Sequence, residues 1–438
     1  MKRLIASLAV TLMGGMTTLT GSTVARDLSI HPTIKTSLLA EPAIIISQSQ
    51  PTAQQTSKLS TEVEAVVNGN NAFAIDLYSQ LRDREGNLFF SPYSTSTALA
   101  MTYAGAKGQT ATEMSKVLHF SLEPDSLHPA FASLMGMLNT KDKPGFQLNT
   151  ANRLWGQQEY NFLKPFKQVT QDYYGAALEE VDFINATEET RRTINKWVEQ
   201  QTQEKIQNLI APDILTPLTR IVLTNAIYFK GTWVNQFDPD YTKNKFFTIA
   251  PGQQVDVPMM SLEASVGYAE FDNLQVLELL YSGEETSMVI LLPKNVDGLV
   301  ALEQQLTQEN LKNWLSAIKY DECPEGIQLP KFRVNSQFEF KQVLSKMGMG
   351  SAFNKSADFS GMNGRKDLFL ANVIHKTFVD VNELGTEATA STEATGVNRC
   401  GGESFNADHP FIFLIRHIPS GSILFMGRIM NPLSRDPQ

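Results

Sequence analysis

Cysteine is nearly absent: Cys323 and Cys400 are the only two in a chain of 438 residues. Two cysteines cannot build a disulfide framework. Without a CxxC pair there is also no zinc ribbon and no thioredoxin-type redox site. The six histidines (His31, His119, His128, His375, His409, His417) show no metal-ligand spacing, so no metal is expected. Positive charge is in deficit, with 37 Lys and Arg against 46 Asp and Glu and a net charge of −9. That sign argues against nucleic acid as a partner. GxSxG, HExxH, a P-loop and GxGxxG are all missing. Gly348-Met349-Gly350 is a fragment of the last and reads as a helix-ending turn. What the chain does have is 42% apolar and 9% aromatic residues, enough for a large globular core.

At the N-terminus, Met1-Lys2-Arg3 precedes an apolar stretch from Leu4 to Met13 and the small residues around Thr23 and Ala25. The pattern reads as an export signal over residues 1–25, cleaved after Ala25. The apolar stretch is too short for the ~20 residues of a membrane-spanning helix. A secreted or extracytoplasmic protein, in a periplasm or at a cell surface, is therefore expected. Residues 26–59, with Pro32, Pro42, Pro51 and much Ser, Thr and Gln, read as a leader. No comparable linker interrupts residues 60–432, which read as one domain ahead of a short tail at 433–438.

Within that domain, Thr61 and Glu64 suggest a capping box before a helix bearing Phe73, Leu77 and Leu81 on one face. Asn185 and Glu188 open a second helix, with Ile194, Trp197 and Val198 as its apolar stripe. Strands are expected at 220–229, 287–292, 368–381, 411–416 and 422–429. Helix-rich and then strand-rich stretches predict an α+β fold with largely antiparallel sheets. His375 shares a strand face with Val373, Thr377, Val379 and Val381, the position of a buried structural histidine rather than a catalytic base.

The informative segment begins at Glu383. Thr386, Ala388, Ala390, Thr392 and Ala394 are small, while Glu387, Thr389, Ser391, Glu393 and Thr395 alternate with them as polar residues. With period two, one face of such a strand could enter a crowded interior and the other could stay in water. Arg399 is the only Lys or Arg between Lys376 and Arg416, so a trypsin-like protease would meet a single basic residue there.

In this segment and in six landmarks the chain resembles the serpin family, over nearly all of residues 65–432. The landmarks are Asn87–Pro92, Thr224–Trp233, Val257–Met260, Asp358–Met362, Ala407–Phe411 and Phe425–Arg428. With the export signal, the resemblance is to a secreted, bacterial-type member. It implies three β-sheets, about nine helices and an exposed reactive-centre loop at 384–404. It also implies an inhibitor rather than an enzyme, one that needs no cofactor. A serine protease attacks the loop and becomes an acyl-enzyme, and the cut loop then inserts into the central sheet.

Family spacing puts the scissile residue sixteen positions after Glu383, at Arg399, with Cys400 beyond the cut. The implied hinge is Glu383, Gly385, Thr386, Glu387, Ala388, Thr389, Ala390, Ser391 and Thr392. Ser91, Ser94, Asn225 and His375 match the family's shutter, Trp233 its breach, and Lys331 with Glu383 a hinge-restraining pair. Residues 121–139 hold no Lys or Arg, so no heparin-type activator is expected. The partner is a trypsin-like serine protease, and the protein is expected to be a monomer. The alternatives are a non-inhibitory carrier or chaperone and an inhibitor of papain-like proteases.

Overall fold

The computed structural model describes residues 59–138, 145–176, 178–320, 324–386 and 403–434. The expected export signal and the leader up to residue 58 lie outside these, as do both cysteines. So do Glu387, Ala388, Thr389, Ala390, Ser391, Thr392 and Arg399. Among the described residues no helix is long and apolar enough to cross a membrane, and no cluster of His, Cys, Asp and Glu could hold a metal.

The first helix, Thr61–Leu81, begins one residue earlier than a Thr61 cap implies. Ser60 is the N-cap, its hydroxyl accepting from the Val63 amide at 3.3 Å. Phe73, Leu77 and Leu81 are completely buried on its inner face. Beyond the helix, Arg428 donates to the carbonyls of Arg82 at 2.6 Å and Gly86 at 3.2 Å, and pairs with buried Glu303 at 2.8 Å. One guanidinium thus satisfies the C-cap carbonyl of Arg82 and ties the turn that follows it to a buried carboxylate. The second expected helix spans Thr187–Gln201 and has no side-chain cap, because its N-cap is Ala186; Asn185 before it bonds back to Asp182. Ser91 and Pro92 follow a local rule more closely: Ser91 caps the helix Pro92–Tyr103 and Pro92 occupies its first turn.

Three sheets organise the chain. The first runs in the order 88–90, 422–429, 411–417, 286–293, 274–280 and 267–270, with every neighbouring pair antiparallel. A four-stranded sheet joins 405–406, 327–330, 253–262 and 243–250. The central sheet has the order 332–339, 373–382, 385–386, 221–232, 146–157 and 179–181. Ten α-helical segments occur among the described residues, two of only four residues, against the nine or so expected. The strand expected from 368 begins only at Val373, whose amide donates to the Asn372 side chain at 2.8 Å. At Gly348 the backbone turns to φ +119, ending the helical run there.

Candidate functional site

The central sheet has a seam between the strands Ile221–Thr232 and Val373–Asn382. At its lower end the two pair directly and in parallel, from Val373 opposite Leu223 to Phe378 opposite Tyr228. At its upper end Gly385 and Thr386 lie between them, antiparallel to both: Thr386 pairs with Val381 and Gly231, and Gly385 with Asn382 and Thr232. The first residues of the segment expected as an exposed loop are therefore already strand. The difference has a steric cause. Gly385 has φ +144, and a Cβ there would lie 2.1 Å from the Gly231 carbonyl oxygen, so only glycine fits this approach. Thr386 is completely buried, its hydroxyl 2.8 Å from the Tyr281 hydroxyl.

Around this upper end, Trp233 is 2% exposed and stacks on Tyr281 at 4.4 Å between ring centroids. Its indole N–H donates to the Asn382 carbonyl at 3.0 Å, and its backbone N–H to the Leu384 carbonyl at 3.0 Å. The Lys331 ammonium lies 2.8 Å and 3.0 Å from the two Glu383 carboxylate oxygens, and the Thr242 hydroxyl donates to one of them at 2.9 Å. Burial raises the Glu383 pKa. Hydrogen bonds from Lys331, from its own backbone amide and from Thr242 outweigh that and hold the carboxyl below its ordinary value.

The lower end rests on a buried polar network. Ser91, Ser94, Asn225 and His375 are all fully buried. The Ser91 hydroxyl accepts from the Ser94 amide at 3.1 Å and donates to the Leu424 carbonyl at 2.6 Å. The Ser91 amide donates to His375 Nε2 at 3.0 Å, which leaves Nδ1–H to donate to the Asn225 carbonyl oxygen. Asn225 Nδ2 in turn donates to the Ser94 hydroxyl at 2.6 Å and to Asn152. Burial lowers the His375 pKa to about 3, so the imidazole is neutral. Both ring nitrogens of this buried, neutral histidine are taken up by the network, Nε2 by the Ser91 amide and Nδ1 by Asn225, as fits the structural histidine expected from its strand face.

Six of the expected residues thus fall in two groups, Ser91, Ser94, Asn225 and His375 below and Trp233 and Lys331 above, with Glu383, Gly385 and Thr386 beside the second. Sequence reasoning missed Asn152, Thr242 and Tyr281. Asn152 carried no clear signal, since Gln147, Asn149, Thr150 and Arg153 on the same strand are polar too. Thr242 and Tyr281 carried none, since their partners lie 141 and 105 residues away.

A central sheet with a strand-width opening at one end, and a small-residue segment entering it, defines the class. The family model for the serpins, described as serine protease inhibitors, matches residues 68–432. Leukocyte elastase inhibitor from Bos taurus is 43% identical over 380 residues, covering 84% of this chain and 100% of that protein. Serpin B10 from Bos taurus is 41% identical over 390 residues, covering 83% and 98%. The structure of uncleaved ovalbumin superposes with a TM-score of 0.77 at 31% identity, covering 84% of this chain and all of that one. The chain belongs to the serpin family. It has the serpin fold, and with relatives that are protease inhibitors it is an inhibitor and not an enzyme.

The same alignments overturn the expectation of a secreted or extracytoplasmic protein. Relatives matched over 98–100% of their length leave the leader outside the match, and the family match begins only at residue 68. Export therefore rested on one short pattern of two cations, an apolar stretch and small residues, which carries little information by itself. The expectation of a bacterial-type member likewise finds no support, since these relatives are from Bos taurus.

Proposed function

We propose that this serpin traps a trypsin-like serine protease as a covalent acyl-enzyme, with Arg399–Cys400 as the bait bond. The protease serine attacks the Arg399 carbonyl, the amine of Cys400 leaves, and an ester joins Arg399 to the protease. The freed segment from Glu387 to Thr392 and beyond then continues the strand that Gly385 and Thr386 have begun. The observation that carries this reading is that two-residue strand, antiparallel to both neighbours and closed on its inner side by Tyr281.

Insertion fixes each residue's backbone at a cost of about 1–2 kcal/mol, which new sheet bonds and burial must exceed. The small inward residues Ala388 and Ala390 add no obstacle, which argues against a non-inhibitory carrier. In this reading Trp233, Lys331 and Glu383 hold the upper end until cleavage. Ser91, Ser94, Asn225 and His375 form the shutter that must part below it. Arginine at the cut suits a protease whose specificity pocket holds a buried acid.

A second reading has the bait address an elastase-like protease with an apolar pocket, cutting near Val397 rather than after Arg399. Its support is the name of the leukocyte elastase inhibitors.

The experiment mixes the chain separately with trypsin and with elastase and resolves the products on a denaturing gel. A detergent-stable band near the summed mass, with a released peptide beginning at Cys400, is the expected trypsin result. A released peptide beginning elsewhere, or a stable band with elastase alone, moves the bait to the second reading. Clean cleavage by both enzymes without such a band refutes trapping of either class.

A further inference from the structure

Beside the lower seam, on the face of the central sheet opposite the buried network, lies a cavity of about 1040 Å³. Its floor comes from two paired strands, with Gln337 opposite Lys376 and Asn335 opposite Phe378 in register. Its wall is the connection from residue 204 to residue 212, a strap that follows the helix Thr187–Gln201. Ile206, Leu209 and Ile210 of the strap are completely buried, in one apolar cluster with Val222, Ala226 and Ile374. The Asn195 amide exchanges hydrogen bonds with the backbone of Ile210 at 2.8 and 2.9 Å. From the floor, Gln337 donates to the Leu209 carbonyl at 3.2 Å and Lys376 to the Gln207 carbonyl at 2.9 Å.

Lys376 is the unusual member. It is only 8% exposed, yet its ammonium donates to a single carbonyl, that of Gln207, and no carboxylate pairs with it among the described residues. Burial lowers its pKa accordingly. Two of its three N–H donors are left for something else. Asn335 Oδ1 on the same floor is buried without a partner. Around the cavity stand Arg84, Arg191, Lys205 and Lys341, against only Glu204 and Glu339. Arg191 is held by Glu188, and Glu339 accepts from Asn372. Lys341 enters no ion pair among the described residues, and Arg84 lies 4.9 Å over the Phe338 ring.

We infer that this basic groove is a binding site for a small multivalent anion, an oligophosphate or a polycarboxylate, which Lys376, Lys341 and Arg84 hold between the strap and the sheet. A phosphate or carboxylate oxygen supplies the acceptors that Lys376 lacks, in a setting where burial makes a charge-assisted bond strong. The cavity exceeds what one phosphate fills, and the cations sit on both the floor and the rim, so a multivalent anion is favoured over a single ion.

The test titrates the full chain with inorganic tripolyphosphate and, separately, with citrate, following heat by calorimetry and the thermal unfolding midpoint. Saturable binding with a raised midpoint is expected for at least one of them, and which one binds separates phosphate from carboxylate chemistry. Lys341→Ala, an exposed substitution, should weaken binding about tenfold, the loss of one charge-assisted contact. Lys376→Met should do the same or more, while Lys243→Ala, on a strand of another sheet, should leave it unchanged. No saturable binding of either anion, or equal binding by the Lys341→Ala protein and the parent, would overturn the assignment.

Discussion

The two ends of the seam are built on opposite plans. The upper end is already parted by one strand and is closed by separate contacts that can be given up singly: an ion pair at Glu383, an indole over Asn382, a hydroxyl pair at Thr386. The lower end is shut by six residue pairs in parallel register, over a network in which each polar group depends on the next. A sheet able to accept a strand from above needs such a gradient, loose where entry starts and cooperative where premature opening would be harmful. Buried networks of this kind are worth more than the sum of their bonds, and leaving one member unpaired is costly.

The sharpest way to break the contrast is to deny entry. Gly385→Val would drive a Cβ into the Gly231 carbonyl and force a β-branched residue to positive φ. Each ~1.4 kcal/mol added to the insertion barrier shifts the partition between trapping and release tenfold. Stable complex with trypsin should therefore fall by about tenfold or more while cleavage continues, as read from band intensities on a denaturing gel. Ala390→Glu, further along the inward face, should likewise convert inhibitor to substrate, and undiminished complex formation by that variant would refute the insertion account.

Loosening the lower end comes next. His375→Ala leaves the buried Ser91 amide without its acceptor, and the Asn225 carbonyl oxygen with only a long 3.5 Å bond from the Thr95 hydroxyl. The expected loss is about 2–4 kcal/mol of unfolding free energy, measured by urea titration.

Acid distinguishes the ends more gently. His375 takes up its proton at about pH 3 in the fold and near 6.5 when unfolded, so the unfolded chain binds more protons between those values. Stability contributed by neutral His375 is complete above about pH 6.5 and is lost as pH falls toward 3. His375→Gln should flatten that part of the plot of melting temperature against pH. Glu383 has a depressed pKa, so its contribution is present above the ordinary carboxylate value and fades only in stronger acid.

The smallest effect is expected at the upper ion pair. Lys331 is 37% exposed, so Lys331→Ala should cost no more than about 1 kcal/mol. Faster hydrogen exchange at the Gly385 and Thr386 amides, with little change in global stability, would mark a local release. A global loss as large as that of His375→Ala would show that the two ends are not separately built.

Much of this was legible in the chain. Ser91-Pro92 reads as a cap and first turn because both signals are local. The alternation after Glu383 and the isolated Arg399 stand in the sequence whatever the fold. His375 was readable as buried from the company of Val373, Thr377, Val379 and Val381 on one strand face. Less was visible where local signals competed or were silent. Thr61 lost the cap to Ser60, one residue away, and the run from Leu368 is apolar enough for a strand but is interrupted at Asn372 by a side-chain bond to the next amide. The leader's export pattern was local too, and too short to decide the location.

By itself, then, the sequence determined the family, the helices and strands with clear periodicity, the small-residue alternation after Glu383 and the isolation of Arg399 as the only basic residue between Lys376 and Arg416. Each of these depends on neighbours within a few positions, or on motifs in order along the chain. The tertiary structure alone decided that Gly385 and Thr386 are already strand, that Tyr281 and Thr242 secure that end, and that Lys376 is buried under the strap with no ion pair among the described residues. Those outcomes join residues 105, 141 and 169 positions apart. No periodicity encodes such pairs, because they arise only when sheet order and register bring distant strands within hydrogen-bonding reach.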